Sequence, residues 1–375
     1  MRPGEIFKSL EFRENMLEFN DCLLQEDIEF IANSEMVPWN IFQGKSFLIT
    51  GATGLIGSQI VKSLICRNLL YNSEIQIYAM VRSLEKAYRV FDGIKAQKDV
   101  HFICADILGE YEFPENLDYV IHTASMTSSM DFVTRPVETI RTAVFGTDEI
   151  LKKTVSAGLD GFLYLSSLEV YGTPSEGNIN ISETYSGYID PLQVRSSYSE
   201  GKRMGECLCS SYAAEYKVPV KIARLTQTFG TGVSYNDGRV FAQFARSVIE
   251  GKNIVLKTKG ETLRSYCYVA DAVTALLIIL AKGKSGESYN VANENTAIRI
   301  ADMAKFVCDK FSNGKSRVVF DIVGDSSKLG YNPVMKICLN TTKLKALGWR
   351  AYFDLEQMFD RMIRSMVAAK NAFSA

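Results

Sequence analysis

The chain has 375 residues, of which 47% are hydrophobic and 23% are charged, and its formal net charge is -1. These values are typical of a globular protein, and the length is sufficient for a large core divided between two lobes. The balanced charge gives no electrostatic reason to expect binding to nucleic acid or to an anionic membrane, so we predict neither partner.

Residues 1–43 precede the first predicted strand, and their apolar residues are spaced as in short amphipathic helices. The apolar positions include Leu10, Phe12, Met16, Leu17, Ile28 and Ile31. Acidic residues are abundant in the same stretch, which is inconsistent with a transit peptide. We therefore predict an N-terminal helical extension that serves as a lid or as a subunit contact.

A glycine-rich turn follows the first strand, which we place at residues 47–49. The turn reads Thr-Gly-Ala-Thr-Gly-Leu-Ile-Gly over residues 50–57, and a helical pattern of apolar residues comes after it. This order is typical of a dinucleotide-binding site, because the glycines permit a tight turn and the close approach of a pyrophosphate to the helix N-terminus. The predicted cofactor contacts here are Gly51, Thr53, Gly54, Leu55, Ile56 and Gly57.

Strands and helices then alternate along the chain. Predicted strands lie at 75–81, 100–104, 119–122, 161–166 and 220–225, and long helices lie at 136–157 and 197–216. This alternation predicts an α/β fold with a doubly wound parallel sheet that is covered by helices on both faces. The functional site of such a sheet is expected at the carboxyl ends of its strands.

The end of the second strand bears on the choice of cofactor. An acidic side chain there would bind the adenosine ribose, but residues 80–83 read Met-Val-Arg-Ser. Arg82 and Ser83 favour a 2′-phosphate, and hence NADP, although Arg82 is equally interpreted as a solvated surface arginine. Asp106 follows the third strand and either accepts a hydrogen bond from adenine or caps a turn. Further predicted cofactor contacts at strand ends are Ile107, Thr123 and Ala124.

Tyr198 and Lys202 are four residues apart in a predicted helix, so their side chains share one face. A lysine ammonium beside a phenol stabilises the phenolate and lowers the pKa of the phenol, which makes the phenol a candidate general base for a sugar hydroxyl. Ser167, after the fifth strand, is placed to hydrogen-bond the same reacting oxygen. We predict that Ser167, Tyr198 and Lys202 are catalytic, and that Tyr198 and Lys202 also contact the cofactor.

Together these three motifs resemble those of the extended short-chain dehydrogenases/reductases, the NAD-dependent epimerase/dehydratase family that modifies nucleotide-linked sugars. The resemblance covers about residues 44–365. It implies a Rossmann domain at 44–225 that binds NAD or NADP, and a smaller C-terminal α/β domain at 226–375 that mainly binds substrate and returns segments to the Rossmann sheet. It also implies hydride transfer from sugar C4 to the cofactor, and a homodimer formed through the two long helices.

Within that family the chain most resembles the UDP-glucuronate decarboxylases. The resemblance is found in Glu-Val-Tyr-Gly at 169–172, in Arg195 three residues before the tyrosine of Tyr-Ser-Glu-Gly-Lys-Arg, and in Asn-Asp-Gly-Arg-Val at 236–240. It implies a catalytic role for Glu169, and it implies that two arginines hold the diphosphate or the reacting sugar, a role suited to planar bidentate donors. The residues expected at the substrate are Ser125, Met126, Arg195, Gln227, Arg239 and Arg264.

Several positions depart from the family pattern. Leu168 occupies the place of a serine in the decarboxylases and of an aspartate in the 4,6-dehydratases, and a leucine cannot donate a proton. Gln227 and Ala143 each replace an asparagine, and residues 125–128 differ from the usual loop of small residues. We therefore expect a reshaped sugar pocket and weakened dehydratase chemistry.

A ketone at C4 acidifies the neighbouring C5–H and converts a C5 carboxylate into a β-keto acid. The same oxidation therefore permits elimination, decarboxylation or re-reduction from the other face. Glu169 is accordingly interpreted as the C5 base of a dehydratase, as a substrate-positioning group of a decarboxylase, or as a solvated carboxylate. Our first hypothesis is a decarboxylase-like lyase acting on a UDP-linked sugar. The alternatives are a nucleotide-sugar 4-epimerase or 4,6-dehydratase and, from another class, a non-catalytic NADP-sensing Rossmann protein.

Eight cysteines are scattered without a CxxC pair, and the chain has two histidines. This usage is typical of reduced, mostly buried thiols in a cytoplasmic protein, and it argues against a histidine-built metal site. The longest apolar run, residues 275–281, is too short to cross a bilayer.

Overall fold

The computed structural model describes residues 19, 21–92, 98–175, 177, 179–322 and 334–374. Within the predicted N-terminal extension, Leu10, Phe12, Met16 and Leu17 lie outside the described residues. The helices are α1 (Cys22–Ala32), α2 (Leu55–Tyr71), α3 (Leu84–Val90), α4 (Ser129–Thr134), α5 (Pro136–Thr154), α6 (Ser196–Tyr216), α7 (Val240–Ile249), α8 (Val269–Lys282), α9 (Ile300–Phe311), α10 (Thr342–Ala346) and α11 (Leu355–Ser374).

The strands are β1 (Ser46–Thr50), β2 (Gln76–Val81), β3 (Val100–Cys104), β4 (Tyr119–His122), β5 (Gly161–Ser167), β6 (Asn180–Ile181), β7 (Val220–Leu225), β8 (Gln227–Phe229), β9 (Ile254–Leu256), β10 (Leu263–Tyr268), β11 (Glu287–Val291), β12 (Asn293–Arg299), β13 (Val318–Phe320) and β14 (Lys336–Leu339). Short 3-10 turns occupy Trp39–Ile41 and Leu168–Tyr171.

Among the described residues, seven parallel strands form the main sheet in the order β11-β7-β5-β4-β1-β2-β3. The central strand β1 has Ile49 opposite Ala79 of β2 on one side and Ile121 of β4 on the other. This arrangement confirms the predicted doubly wound parallel sheet.

The two faces of the main sheet are covered by different helices, because alternate side chains of a strand point to opposite faces. Leu48, Val120 and Phe162 lie in one buried cluster with Ile150 of α5 and Cys209 of α6. Their strand neighbours belong to the second cluster, which includes residues of α2 and α8; these neighbours are Ile49, Ile121 and Leu163. Burial on both faces explains why the strands read as continuous apolar runs.

The second lobe is built around β10. This strand pairs in parallel with β8 and β14 and antiparallel with β12, and β14 also pairs with β6. The strand leads directly into α8, which packs on β5 and β7 of the main sheet. The chain after α8 returns as β11, the edge strand of the main sheet. The smaller lobe is thus joined to the main sheet by two elements.

The described part of the N-terminal extension packs onto the rest of the chain. Helix α1 contacts α2, α8 and α11, and Ile28 and Ile31 on its inner face are fully buried. The described residues contain no helix with the length and apolarity needed to cross a lipid bilayer.

Candidate active site

The glycine turn between β1 and α2 leaves no room for side chains. Gly51 has φ of +65°, and a Cβ atom on it would stand 2.7 Å from the Oγ1 of Thr123 and 2.9 Å from the Cα of Ala124. A Cβ on Gly57 would stand 2.5 Å from the carbonyl oxygen of Gly51. No described side chain caps α2 at Gly54, so the first N–H groups of the helix remain available to an anion. The residues present therefore fit the pyrophosphate of a dinucleotide.

The end of β4 is attached to the glycine turn by side-chain hydrogen bonds. The Thr123 hydroxyl donates to the carbonyl oxygen of Thr50 at 2.6 Å, and the N–H of Ala124 donates to the Thr50 hydroxyl at 3.2 Å. His122 links the Thr50 hydroxyl, 2.7 Å from its Nδ1, to the Thr147 hydroxyl of α5, 3.1 Å from its Nε2. Burial lowers the pKa of His122 to about 3, so its ring is neutral. The sequence analysis considered the two histidines only in arguing against a metal site, and it did not predict this network.

The predicted adenosine contacts lie at the other end of the cofactor site. Arg82 and Ser83 are exposed beyond β2, and the Ser83 hydroxyl accepts from the N–H of Lys86 in α3 at 3.2 Å. Asp106 accepts from the N–H of Leu108 at 2.9 Å, so its carboxylate caps a turn in this structure. The neighbouring predicted contact, Ile107, is buried.

Tyr198 and Lys202 lie in the first turns of α6, next to the end of β5. The Ser167 hydroxyl lies near the Tyr198 phenol and acts to lower its pKa, against the larger effect of burial. The ammonium of Lys202 donates to the carbonyl oxygen of Leu165 at 2.7 Å and lies 4.7 Å from the ring centroid of Tyr164. Tyr198 and Lys202 therefore both lie at the carboxyl end of β5.

The expected lowering of the tyrosine pKa does not arise from this chain's residues. Burial, reinforced by the Glu169 carboxylate, raises the pKa of Tyr198 to about 12. Burial also lowers the pKa of Lys202 to about 8, which weakens the positive charge that would favour a phenolate. Desolvation thus outweighs the lysine, and the Tyr198 phenol is protonated at neutral pH.

Phe132 of α4 holds two predicted site residues. Its ring stacks on Tyr198 with a centroid distance of 4.2 Å and an interplanar angle of 9°. The guanidinium of Arg195 lies 5.3 Å from the same ring centroid, within cation–π range. Ser197 adds a hydrogen bond from its hydroxyl to the carbonyl oxygen of Phe132 at 3.0 Å. No motif in the sequence marks Phe132, since an aromatic residue in a short helix is usually a packing residue.

Glu169 is held by an ion pair close to Tyr198. Arg195 donates to both carboxylate oxygens, at 2.7 and 3.0 Å, and the Ser199 hydroxyl donates at 3.1 Å. Burial by itself raises the pKa of Glu169, but the Arg195 and Arg264 guanidiniums and these hydrogen bonds hold it below its usual value. This is a correction to one expectation, because Glu169 is buried and paired and is therefore not a solvated carboxylate. Arg195, expected at the substrate, is paired with Glu169.

Arg264 of β10 is the guanidinium in this region with unused hydrogen-bonding capacity. Its Nε is buried and has no hydrogen-bond partner among the residues that the structure describes. The same holds for the hydroxyl of Tyr266, two residues further along β10. A buried unpaired N–H is costly unless another molecule satisfies it, so Arg264 is suited to an anionic ligand.

Arg239 is predicted at the substrate and lies in the loop before α7. It donates to both carboxylate oxygens of Asp237, the shortest contact being 2.6 Å, and its guanidinium lies 4.8 Å from the Phe241 ring centroid. Gln227 is in β8, opposite Tyr266 of β10. The sequence predicts both residues at the substrate. Their neighbours, Asp237 for Arg239 and Tyr266 for Gln227, are known only from the folded structure.

Two further predicted residues lie after β4, on the loop that follows Ala124. The Ser125 hydroxyl donates to the carbonyl oxygen of Met126 at 3.2 Å, and the Met126 sulfur accepts from the Thr139 hydroxyl at 3.5 Å. The loop therefore lies between the glycine turn and α5, at the carboxyl ends of the strands, where Ser167 also lies.

Leu168 points away from the hydrogen-bonding groups around it. Its side chain is 2% exposed and lies in a buried apolar cluster with Ile181, Ile337 and Leu339 of the second lobe. The position between Ser167 and Glu169 thus provides packing in place of a proton donor.

The sequence of the chain matches a known protein family and is similar to several known proteins. The NAD dependent epimerase/dehydratase family matches residues 47–292. The chain is 28% identical over 323 residues to UDP-glucuronic acid decarboxylase 1 of Xenopus tropicalis, covering 85% of this chain and 71% of that protein. It is 31% identical over 269 residues to UDP-glucuronic acid decarboxylase 6 of Arabidopsis thaliana, covering 69% of this chain and 73% of that protein.

Solved structures with the same fold include several nucleotide-sugar enzymes. An epimerase from Methanothermobacter thermautotrophicus superposes with a TM-score of 0.75 at 20% identity, over 92% of this chain and 97% of that chain. UDP-glucuronic acid 4-epimerase from Bacillus cereus, in complex with NAD, superposes with a TM-score of 0.69 at 20% identity, over 86% of this chain and 98% of that chain. At these identities the structural similarity establishes the fold alone.

Proposed function

The chain belongs to the NAD-dependent epimerase/dehydratase family, and we propose that it uses NAD to oxidise C4 of a UDP-linked sugar and acts most like a UDP-glucuronate decarboxylase. The observation that supports this proposal best is the convergence of four side chains at the carboxyl end of β5. The Ser167 hydroxyl acts there to lower the pKa of the Tyr198 phenol, against the effect of burial, and the Arg264 guanidinium acts to lower the pKa of Glu169. The 31% identity with a plant UDP-glucuronic acid decarboxylase supports the same substrate class.

In the proposed mechanism Tyr198 receives the proton of the C4 hydroxyl, and Ser167 orients that hydroxyl by a hydrogen bond. NAD, when bound, would supply the acceptor for the C4 hydride and a positive charge. Lys202 adds a second positive charge at the same strand end, which lowers the cost of forming the phenolate. Because burial keeps the Tyr198 phenol protonated in this structure, both positive charges matter for catalysis.

Decarboxylation suits the surroundings of Glu169 better than dehydration does. A dehydratase needs a base at C5 and a proton donor for the departing hydroxyl. Glu169 is held ionised by Arg195, which suits a base, but the apolar, buried side chain of Leu168 cannot donate the proton that the departing hydroxyl needs. A 4-keto uronate loses carbon dioxide without either group, because the ketone accepts the electron pair. Arg264, with its unpaired Nε, is the group we propose to bind the substrate carboxylate or diphosphate.

A nucleotide-sugar 4-epimerase is the second candidate. Re-reduction of the 4-ketone from the opposite face also needs no acid at position 168. A non-catalytic sensor is less well supported, because a sensor has no use for Ser167 and Lys202 beside Tyr198 at the end of β5.

The test is mass spectrometry of the purified protein incubated with UDP-, dTDP-, CDP- and GDP-sugars, UDP-glucuronate included. Loss of carbon dioxide from UDP-glucuronate is the expected result. Loss of water would assign a dehydratase instead. An unchanged mass with an altered C4 configuration, detected by NMR on the same samples, would assign an epimerase.

The remaining substrate contacts that we propose are Ser125, Met126, Arg195, Gln227 and Arg239. Arg239 is the residue proposed for the diphosphate, and exchange of its Asp237 partner for phosphate oxygens would preserve its bidentate geometry. Arg195 acts through Glu169 by holding that carboxylate in place.

We also propose a homodimer formed through α5 and α6. These helices pack side by side, and their outer faces expose apolar side chains at helical spacing. The exposed residues are Val137, Ile140 and Phe145 of α5 and Met204 of α6. A second copy presenting the same two helices would cover this surface.

A further inference from the structure

Helix α1 precedes the segment that matches the family, which begins at residue 47. It is nevertheless part of the core, because it packs on α2, which starts at the glycine turn, and on α8 and α11. Helix α1 therefore lies outside the family segment but contacts three helices of the core.

Asp27 is the polar centre of this junction, and it is completely buried. Its carboxylate accepts from the Thr231 hydroxyl at 2.6 Å, from Arg361 of α11 at 2.7 and 3.1 Å, and from the hydroxyl of Tyr268. Burial raises the pKa of Asp27 to about 6, against the opposing effect of Arg361, so the carboxylate is ionised at neutral pH. One charge therefore joins α1, α11, the end of β10 and the segment after β8.

A second set of bonds reaches the same segment. The N–H of Gly232 donates to the Ser365 hydroxyl of α11 at 3.1 Å, and that hydroxyl donates to Asp21, the N-cap of α1. Gln59 of α2 donates to the carbonyl oxygen of Thr231 at 2.8 Å. The segment at 231–232 is thus attached to α1, directly and through α11.

Two of the arginines proposed at the substrate, Arg239 and Arg264, lie on elements that meet this junction. The segment that starts at Thr231 continues to Arg239, and Arg246 holds its far end by donating to the carbonyl oxygen of Asp237 at 3.3 Å. Arg264 lies on β10, four residues before Tyr268. The loop is therefore attached at both ends, to α7 through Arg246 and, at Thr231 and Gly232, to α1, α2 and α11.

We propose that Asp27 is a positioning residue that fixes the loop at 231–239, so that Arg239 is held ready for the nucleotide diphosphate. The proposal rests on the proposed function, because it takes Arg239 as a diphosphate ligand. Without the Asp27 charge, Arg361 and the Thr231 hydroxyl lose their buried acceptor and the attachment of the loop at Thr231 weakens. The glycine turn is held by hydrogen bonds between β1 and the end of β4, and Asp27 bonds none of its residues, so NAD affinity should be unaffected.

The experiment compares the full-length chain with Asp27→Asn, an isosteric change that removes the charge. Glu26→Gln is the matched control, because Glu26 also pairs with Arg361, at 2.9 Å, yet is 43% exposed and bonds neither Thr231 nor Tyr268. Thr231→Val is a second variant that removes one hydrogen bond and leaves both charges in place. Hydrogen exchange of peptides covering 231–239 is measured together with UDP and NAD affinities.

In Asp27→Asn we expect exchange at 231–239 to become about tenfold faster and UDP to bind about tenfold more weakly, with NAD affinity unchanged. Thr231→Val should change both quantities in the same direction, and Glu26→Gln should change neither. Unchanged exchange and unchanged UDP affinity in a folded Asp27→Asn protein would overturn the proposal, as would an equal loss of NAD affinity. If Asp27→Asn does not fold, Thr231→Val decides by the same criteria.

The hydrogen-exchange measurement separates this inference from the proposed function. If the unmodified protein does not bind UDP, the proposed substrate class is wrong, whereas faster exchange at 231–239 in Asp27→Asn still supports the loop attachment. If UDP binds normally and neither quantity responds to Asp27, the inference is wrong and the proposed function stands.

Discussion

Leu168 and Glu169 are neighbours in the chain and face opposite surroundings. Leu168 enters an apolar cluster of the second lobe, whereas Glu169 is bound by Arg195 and Ser199 close to the catalytic tyrosine. Both residues lie in the short 3-10 turn that begins after Ser167, which directs their side chains to different surroundings. At the scale of residues, the chemistry of the site is therefore decided by which side chains this turn presents to the substrate.

Tyr198→Phe removes the proposed base and keeps the ring that stacks on Phe132. We expect turnover of the substrate to fall by about a hundredfold to ten-thousandfold, the usual contribution of a positioned proton-transfer group. Cofactor affinity, measured by calorimetry, should remain unchanged. Tyr216→Phe at the end of the same helix is the control, and full activity of Tyr198→Phe would exclude the mechanism.

Glu169→Gln tests the buried ion pair through stability at different pH values. Despite the opposing effect of burial, Arg195 holds the pKa of Glu169 below its ordinary value of 4.5, so the pair stabilises the protein above pH 4.5. The stabilisation is lost as the pH falls through the lowered pKa of the folded state. We expect a deficit of about 3 kcal/mol in the variant at pH 7 that shrinks below about pH 4.5.

Chemical denaturation of both proteins between pH 3 and pH 7 measures this deficit. A constant difference across that range would show that Glu169 is not ionised in the folded protein.

Arg82→Asp tests the adenosine end of the cofactor site. Arg82 is exposed after β2 without a neighbouring carboxylate in residues 80–83, so it can meet a 2′-phosphate. Charge reversal should weaken NADP binding relative to NAD binding by about a hundredfold, because attraction to the phosphate becomes repulsion. Calorimetric titration of both dinucleotides provides the ratio. Arg89→Asp on the exposed side of α3 is the control, and an equal change for both dinucleotides would identify Arg82 as a surface arginine.

At the scale of elements, the position of α6 depends on two helical glycines that sequence reasoning missed. A Cβ on Gly201 would stand 3.0 Å from the Cβ of Ala143 in α5, and one on Gly205 would overlap the hydroxyl of Tyr164 in β5. These residues let α6 approach both its neighbour and the sheet, which brings Tyr198 and Lys202 to the end of β5. The signal was present, since both glycines interrupt an otherwise good helix.

Gly205→Ala should destabilise the protein, although alanine is normally the better helix former. The added methyl group collides with Tyr164, a fully buried ring that has little freedom to move. We expect a loss of about 1–3 kcal/mol in the free energy of unfolding, as for other overpacked cores. Thermal and urea denaturation measure it, with Ser210→Ala on the exposed face of α6 as the control. A stabilised Gly205→Ala protein would contradict the close approach.

At the scale of the whole molecule, the exposed apolar surface of α5 and α6 leads to a prediction about assembly. Phe145→Glu introduces a charge into the proposed dimer contact, where burial of an unpaired carboxylate is unfavourable. We expect light scattering to give a dimer for the unmodified chain and a monomer for the variant, with unchanged circular dichroism. A monomeric unmodified chain would remove the proposed homodimer.

The order of strands and helices was predictable along the main sheet, because each strand is a continuous apolar run and the glycine turn follows the first of them. Helix α5 ends at Thr154, before the predicted end at 157, and α6 begins at Ser196, one residue before the predicted start at 197. Such boundaries depend on the caps and tertiary contacts at each end, which periodicity does not record.

The sequence by itself determined the sheet and the glycine turn, because both depend on local periodicity and on spacing within one element. It also identified Ser167, Tyr198 and Lys202 as candidates, and the family resemblance added Glu169. The tertiary structure alone decided which charges meet. The pairing of Glu169 with Arg195, and of Asp27 with Arg361 across 334 positions, arises from packing of distant elements. Burial then set the Tyr198 pKa against the influence of its neighbouring lysine. Desolvation and long-range pairing depend on the folded surroundings, and spacing along the chain contains neither.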